Sequence, residues 1–256
     1  MTVLLTGSQG LIGTALRERL PGLGWQLRTF DRSPGADVVG ELTDPATLDR
    51  ALLGADAVVH LAGQPAEGPW PVVRDSNLEG CYQLFEAARR AGVRRVVFAS
   101  SNHAVGFTER AAGELPPDVP PRPDTLYGVS KVFGEALARY YCDRYGFEVA
   151  CLRIGTFAER PPDRRALGTW LSPADCAHLV DRCLRSPELG YALIWGVSAN
   201  RDRWWSLANP VGYRPSSDAA ELPAPPDGTA RTDVVGGAFT TAAYGIDEVL
   251  NRAHGS

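Results

Sequence analysis

The sequence predicts a doubly wound α/β fold, a parallel sheet with helices on both faces, followed by a small C-terminal lobe. Short β-branched apolar runs alternate with helical patterns over the first two thirds of the chain, and parallel strands require such crossover connections. Several of those runs are apolar almost throughout, as strands covered on both faces are. A glycine-rich turn follows the first run and opens a helix.

In chain order, Val3 to Thr6, Gln26 to Asp31, Ala57 to Ala62, Arg95 to Ser100 and Phe147 to Ile154 read as strands. Helices are expected between them at Leu11 to Leu20, Pro45 to Leu53, Val72 to Ala91 and Leu126 to Tyr145. After Ile154 the rhythm stops. A Pro- and Arg-rich stretch, Ala158 to Ala166, precedes one more helix, Pro173 to Arg185, capped by Ser172 with Asp175 three residues on. A strand at Tyr191 to Trp195, the pair Trp204 and Trp205, and a Pro-rich tail beyond Pro215 complete the chain. Residues 1–155 are therefore expected to form the sheet domain, and residues 156–256 a small lobe with a tail, not an independent domain.

Composition narrows the function classes. The chain has 256 residues, 44% hydrophobic and 22% charged, which suits one large globular domain and excludes disorder as the default state. Its net charge of −4 offers no whole-molecule positive field, so neither nucleic acid nor an anionic membrane surface is an expected partner. Any anion must be held locally. The five cysteines, Cys81, Cys142, Cys151, Cys176 and Cys183, are odd in number and scattered, with no C-x-x-C pair. That spacing argues against a disulfide framework and against a metal site. With no basic leader and no apolar stretch near the ~20 residues of a spanning helix, a cytoplasmic location is expected.

The first strand runs into Thr6-Gly7-Ser8-Gln9-Gly10-Leu11-Ile12-Gly13, a G-x-x-G-x-x-G turn. Glycines there permit positive φ, let the backbone approach a pyrophosphate and let helix and strand pack closely. The helix start, around Gly10, Leu11, Ile12 and Gly13, supplies unpaired N–H donors. Asp31 ends the second strand about 20 residues on, where a carboxylate accepts from a ribose 2′-hydroxyl and repels a 2′-phosphate. This favours NAD over NADP, with Arg32 beside it as a partial offset. Glu41 and Leu42 follow the third strand region, within reach of an adenine. Leu61, Ala62 and Gly63 close the fourth strand with residues small enough for a backbone beside the cofactor.

Tyr127-Gly128-Val129-Ser130-Lys131 puts a phenol and an ammonium at i and i+4, on one face of a predicted helix. A free tyrosine, with a pKa near 10, is a poor base at neutral pH, and a nearby cation favours its phenolate. Ser101 ends the fifth strand, where open α/β sheets place their crevice, and its hydroxyl can bond a reacting oxygen. Ser100 points to the opposite side if the strand continues. Asn77 can fix a buried backbone or water for a proton relay, with a purely structural role as the alternative.

Together these motifs resemble the extended branch of the short-chain dehydrogenase/reductase superfamily, which is NAD-dependent epimerase/dehydratase-like: T-G-x-x-G-x-x-G, N-x-x-G, S-S and Y-x-x-x-K occur in order from Thr2 to about Pro215. Within that branch the chain is most similar to the uronate dehydrogenase family. The stretches that carry this are Val97 to His103, Leu126 to Lys131, Arg153 to Gly155, Thr169 to Ser172, and Trp195 to Asn200 followed by Trp204-Trp205.

The resemblance implies a Rossmann-like fold and NAD-dependent oxidation of glucuronate or galacturonate at C1 to an aldarolactone. It implies Tyr127 as base, Lys131 as its electrostatic partner, Ser101 as hydroxyl anchor and Ile154 against the nicotinamide. Asn102 and His103 would bind sugar hydroxyls, Thr156 would stand where the family uses a serine, and Arg165 would clamp the sugar-acid carboxylate. The chain departs from the family after Gly63, where Gln64-Pro65-Ala66 replaces a substrate-facing serine and Gln64 is the substitute contact.

Three other readings stay open: a nucleotide-sugar epimerase or dehydratase, a reductase of another small carbonyl compound, and a non-catalytic dinucleotide sensor. Self-association through the long flanking helices, giving a homo-oligomer, is a further expectation.

Overall fold

The structure, a computed structural model, describes residues 1–110, 113–226 and 232–249. The expected alternation is present as β1 (Thr2–Thr6), α1 (Leu11–Arg19), β2 (Gln26–Asp31), β3 (Val38–Val39), α2 (Pro45–Leu52), β4 (Ala57–His60), α3 (Trp70–Val73), α4 (Gly80–Ala91), β5 (Arg95–Ser101), α5 (Leu126–Tyr145) and β6 (Glu148–Ile154). The later part adds β7 (Thr156–Phe157), α6 (Ala166–Thr169), β8 (Trp170–Leu171), α7 (Pro173–Arg185) and β9 (Tyr191–Gly196). Seven strands form one parallel sheet in the order β3-β2-β1-β4-β5-β6-β9.

The alternation of side chains along each strand builds two cores. Val3 and Leu5 point to a layer with α1 and α7, where Leu16, Leu20, Leu179, Val180 and Cys183 are buried. Leu4, Val58, Val96 and Val149 point to the opposite layer, against Leu48, Leu52, Leu84, Phe85 and Tyr141 of α2, α4 and α5. All five cysteines are free thiols, and only Cys142 is less than fully buried.

Two expectations change. The single helix expected from Val72 to Ala91 is broken by a π-helical turn at Arg74–Glu79. The division at residue 155 runs between neighbouring elements of one structure, because β9 pairs with β6 and α7 packs in the α1 layer. A helical period and a strand seen singly cannot reveal which sheet they rejoin.

The lobe is built from what lies between and after these elements. β7 and β8 form their own two-stranded parallel sheet. A third core gathers Val105, Leu115, Trp195, Trp204, Trp205 and Val235, with Trp195 and Trp205 stacked 4.4 Å apart. The tail beyond Pro215 is not a free arm over its described residues. Ser216 and Ser217 N–H groups donate to the Asp175 carboxylate. Val235 and Gly236 donate to the carbonyls of Thr108 and Gly106, which brings residues 234–244 back to the C-terminal ends of the strands. The end of the tail, residues 250–256, lies outside the described residues.

Candidate active site

The order β2-β1-β4 reverses direction beside β1, and a cavity of about 730 Å³ opens at the C-terminal ends of the strands there. Its wall brings together Gly7, Gly10, Leu11, Ile12, Gly13, Asp31, Glu41, Leu42, Leu61, Ala62, Gly63, Gln64, Ser101, Asn102, His103, Tyr127, Lys131 and Ile154, all singled out in the sequence.

At one end, backbone geometry dictates the residues. Gly7 has φ +68°, and a Cβ on it would lie 2.6 Å from Ala62 N; one on Gly13 would lie 2.2 Å from Gly7 O. The turn is thus as thin as a polypeptide allows. Gly10 caps α1 without a side-chain acceptor, leaving the first N–H groups of the helix open to the cavity. Gln9 Nε2 is a buried donor with no protein partner among the described residues. Asp31 is almost fully buried and ties the turn together, accepting from Gln9 N at 2.9 Å and Ser33 N at 2.9 Å. Each oxygen keeps a lone pair for a diol. A thin cradle, open helix donors, an orphan amide and an acid at the strand end fit a dinucleotide.

At the other end, α5 starts at Thr125, whose hydroxyl accepts from Gly128 N at 3.0 Å. Tyr127 N donates to Glu67 Oε2 at 2.8 Å, which fixes the loop after β4 to the helix start. Burial, with Asp124 nearby, raises the Glu67 carboxyl above its ordinary range. Lys131, one turn on, donates to Ala99 O at 2.9 Å and lies 5.3 Å from the centre of the Tyr127 ring. His60, beneath it, is fully buried and bonds Thr6 Oγ1; burial, aided by the Lys131 charge, pulls its pKa down to about 3, so the ring is neutral. Ser101 accepts from His103 N at 3.2 Å. Ser100 lines the wall too, but its hydroxyl donates to Glu135 at 2.6 Å, and Glu135 is paired with the buried Arg153.

Three expected residues stand off the cavity wall. Asn77, in the π-helical turn, accepts from Gln64 N and donates to Gln64 O and Ser130 Oγ, so its side chain is used in clamping the loop after β4 to α5. Thr156 shares a hydrogen bond with Thr169 at 2.9 Å. Arg165 lies behind the wall, donating to Val235 O, the carbonyl that also accepts from Asn102 Nδ2 at 3.1 Å. Its Nε is buried without a partner, it makes no ion pair among the described residues, and burial lowers its pKa.

Other wall residues were not foreseen. Gly155, Phe157, Pro65 and Ser76 close gaps, and Phe239 reaches in from the tail to stack on His103 at 4.0 Å. Nothing in the tail's Pro-rich sequence signals that contact across 136 positions.

A dinucleotide cradle facing a tyrosine–lysine pair across one cleft defines a nicotinamide-dependent oxidoreductase. The chain is an NAD-dependent dehydrogenase and belongs to the NAD dependent epimerase/dehydratase family, whose profile matches residues 3–168. It is 41% identical to the uronate dehydrogenase of Agrobacterium fabrum, over 88% of this chain and 91% of that one. It is 36% identical to the NAD-dependent glucose-6-phosphate dehydrogenase of Haloferax volcanii, over 86% and 95%. A crystal structure of mutant uronate dehydrogenase from Agrobacterium tumefaciens complexed with NAD superposes with a TM-score of 0.85 at 40% identity, covering 93% of this chain and 96% of that one. Among the described residues no three potential ligands gather to hold a metal ion, and no helix is long and apolar enough to cross a membrane.

Proposed function

We propose that the chain oxidises a hexuronate, glucuronate or galacturonate, at C1 to the aldarolactone. The observation that carries the acid group is Arg165: a buried guanidinium with an unpartnered Nε, one carbonyl behind the Asn102 wall of the cleft. Turned toward the cleft, such a guanidinium would receive a carboxylate in bidentate fashion, and in an acidic protein the receptor must be local. The similarity to uronate dehydrogenases supports the same substrate class.

The residues of the chain then divide the work. Asp31 takes the adenosine ribose, and the open N-terminus of α1 takes the pyrophosphate. Ile154 packs at the reacting ring. Bound NAD supplies the acceptor for the hydride from C1. Ser101 holds the C1 hydroxyl against Tyr127, and the Tyr127 oxygen takes its proton. Lys131, on the same helix face, stabilises the phenolate electrostatically. One proton and one hydride leave a cyclic hemiacetal, so the product is a lactone and water is not consumed. Residues 1–155, backed by α7 and β9, hold the cofactor; the remaining lobe, with Asn102 and His103, frames the sugar, while Thr156 supports Thr169 instead of meeting substrate.

NADH absorbance with a panel of glucuronate, galacturonate, glucose 6-phosphate and neutral aldoses tests this. Turnover restricted to the two uronates is expected; turnover of neutral aldoses alone refutes the anion receptor. A second reading, a phosphorylated aldose, draws on the 36% identical glucose-6-phosphate enzyme and on the segment Gln64-Pro65-Ala66, where the resemblance to the uronate family implies a lost serine. Turnover of glucose 6-phosphate without the uronates selects it. Tyr127→Phe should lower kcat roughly 10²- to 10⁴-fold while NAD affinity persists; unchanged kcat removes Tyr127 as the base.

A further inference from the structure

His103 is held more tightly than a hydroxyl-binding residue on a cleft wall needs to be. Its Nδ1 lies 2.8 Å from Asp124 Oδ2. The Asp124 side chain has no exposed surface, and it is caged by backbone: a Cβ on Gly106 or on Gly236 would fall 1.9 Å from Oδ2. Its other oxygen accepts from Thr125 Oγ1 at 3.0 Å. Phe239 lies over the face of the imidazole, and Tyr244 stacks on Phe239 at the same 4.0 Å spacing. The ring is therefore fixed in rotation by Asp124 and in plane by Phe239. Nε2 bonds no protein group among the described residues, and His103 lines the cavity.

We propose that Asp124 is a positioning residue that sets the tautomer of His103, so that Nε2 is offered to the substrate as a hydrogen-bond acceptor for a sugar hydroxyl. An ionised carboxylate has no hydrogen to give, so in the neutral form of the ring the hydrogen bond puts the proton on Nδ1 and leaves Nε2 bare. The charged groups around this ring are Asp124 itself, Glu67 on the Tyr127 N–H, and Arg165, which feels the Asp124 charge. Tyr127 meets its edge at 5.9 Å. The ligand selected is a polyol with a hydroxyl beside the reacting carbon. The inference rests on the hexuronate reading for its substrate, but the tautomer exists without any sugar.

Asp124→Asn is the informative change. Thr125 Oγ1 donates to the Oδ1 position, which keeps the amide oxygen there and turns the amide nitrogen toward Nδ1. The tautomer then inverts, Nε2 gains the hydrogen, and a donor faces the sugar hydroxyl. Nitrogen-15 NMR of the imidazoles reads this directly; the chain has four histidines, and His103→Gln assigns the signals.

The expected results are an Nδ1–H tautomer for neutral His103 in the wild type and Nε2–H in Asp124→Asn. The variant's kcat/KM for the aldose should fall roughly 10- to 100-fold, as for a hydrogen bond turned into a mismatch, with NAD affinity kept. In the His103→Gln background Asp124→Asn should cost less than about threefold more, because the partner it positions is gone. An Nε2–H tautomer in the wild type overturns the proposal, even if Asp124→Asn fails to fold. Equal losses in both backgrounds overturn it as well, reducing Asp124 to a support for the turn before α5. If uronates prove not to be substrates, the tautomer result is unaffected and the cycle is run on the aldose that is.

Discussion

Gly13 is held to glycine by its own chain before any ligand is considered. A methyl group there meets Gly7 O at 2.2 Å, and Gly7 in turn abuts Ala62 N. Gly13→Ala should therefore cost about 1–3 kcal/mol of stability from overpacking and weaken NAD binding together, measured by thermal melts and fluorescence titration. A stable variant with unchanged NAD affinity refutes that crowding. This same geometry explains why the turn was legible: steric requirements at fixed spacing leave a local pattern. The Tyr127–Lys131 pair was legible for the same reason, because four residues on a helix fix a face. The backbone-fixing role of Asn77 was legible too, whereas the contacts of Thr156 and Arg165 were not, since their partners Thr169 and Val235 lie 13 and 70 positions away. Glu67, Asp124 and Phe239 carry no motif at all. An acid one turn from a helix start or an aromatic in a Pro-rich tail has no period to mark it.

At the scale of elements, β5, β6 and α5 are joined by one buried ion pair. Arg153 donates to both oxygens of Glu135, at 2.9 and 2.8 Å, and its remaining amine reaches the carbonyls of Pro117 and Val119. Breaking it from one side strands a charge, so Arg153→Met should cost about 3–5 kcal/mol, whereas Arg153→Met with Glu135→Leu should cost less. Denaturant melts check the order, and the reverse order refutes the pair as the joint. The edge of the sheet has a pH limb of its own. Thr29 donates to Asp37 from its N–H and its hydroxyl, both at 2.8 Å, which holds that carboxyl below its ordinary range. A depressed native pKa stabilises the fold above the ordinary value and loses that support as the pH falls through the lowered one. The acid-side drop in Tm should be shallower in Asp37→Asn than in the wild type; identical profiles assign the drop elsewhere. The strand runs themselves were readable because full burial leaves unbroken apolar stretches. β7 and β8, two residues each, were too short to leave any, and β3, equally short, was expected only as a strand region near Glu41.

Across the whole molecule, the cavity is walled by the turn after β1, the loop after β4 and the ends of β5 and β6, so a dinucleotide held there would bridge those elements. A ligand bound only by the folded state adds about 2.7 kcal/mol at a hundred times its Kd, so NAD should raise Tm by several degrees, and NADP by less because of Asp31. Equal shifts refute the ribose assignment. Trp70, Val72, Tyr82, Val129 and Tyr140 leave apolar surface open on α3, α4 and α5, the side on which self-association was expected. Sedimentation velocity should show a species larger than the monomer; a monomer at high concentration removes that expectation.

The burial of the cysteines has a practical corollary. Burial drives the thiols of Cys81 and Cys176 up to about 12, and those of Cys151 and Cys183 are raised as well, so four of the five sulfurs stay protonated and shielded. Cys142, raised to about 11, is protonated at neutral pH as well and differs in being partly open. It sits fifteen residues along α5 from Tyr127, about 22 Å at the rise of an α-helix. A maleimide fluorophore should therefore attach at a single, remote position, and this dehydrogenase can be immobilised or tracked through its native sequence while its cleft keeps turning over.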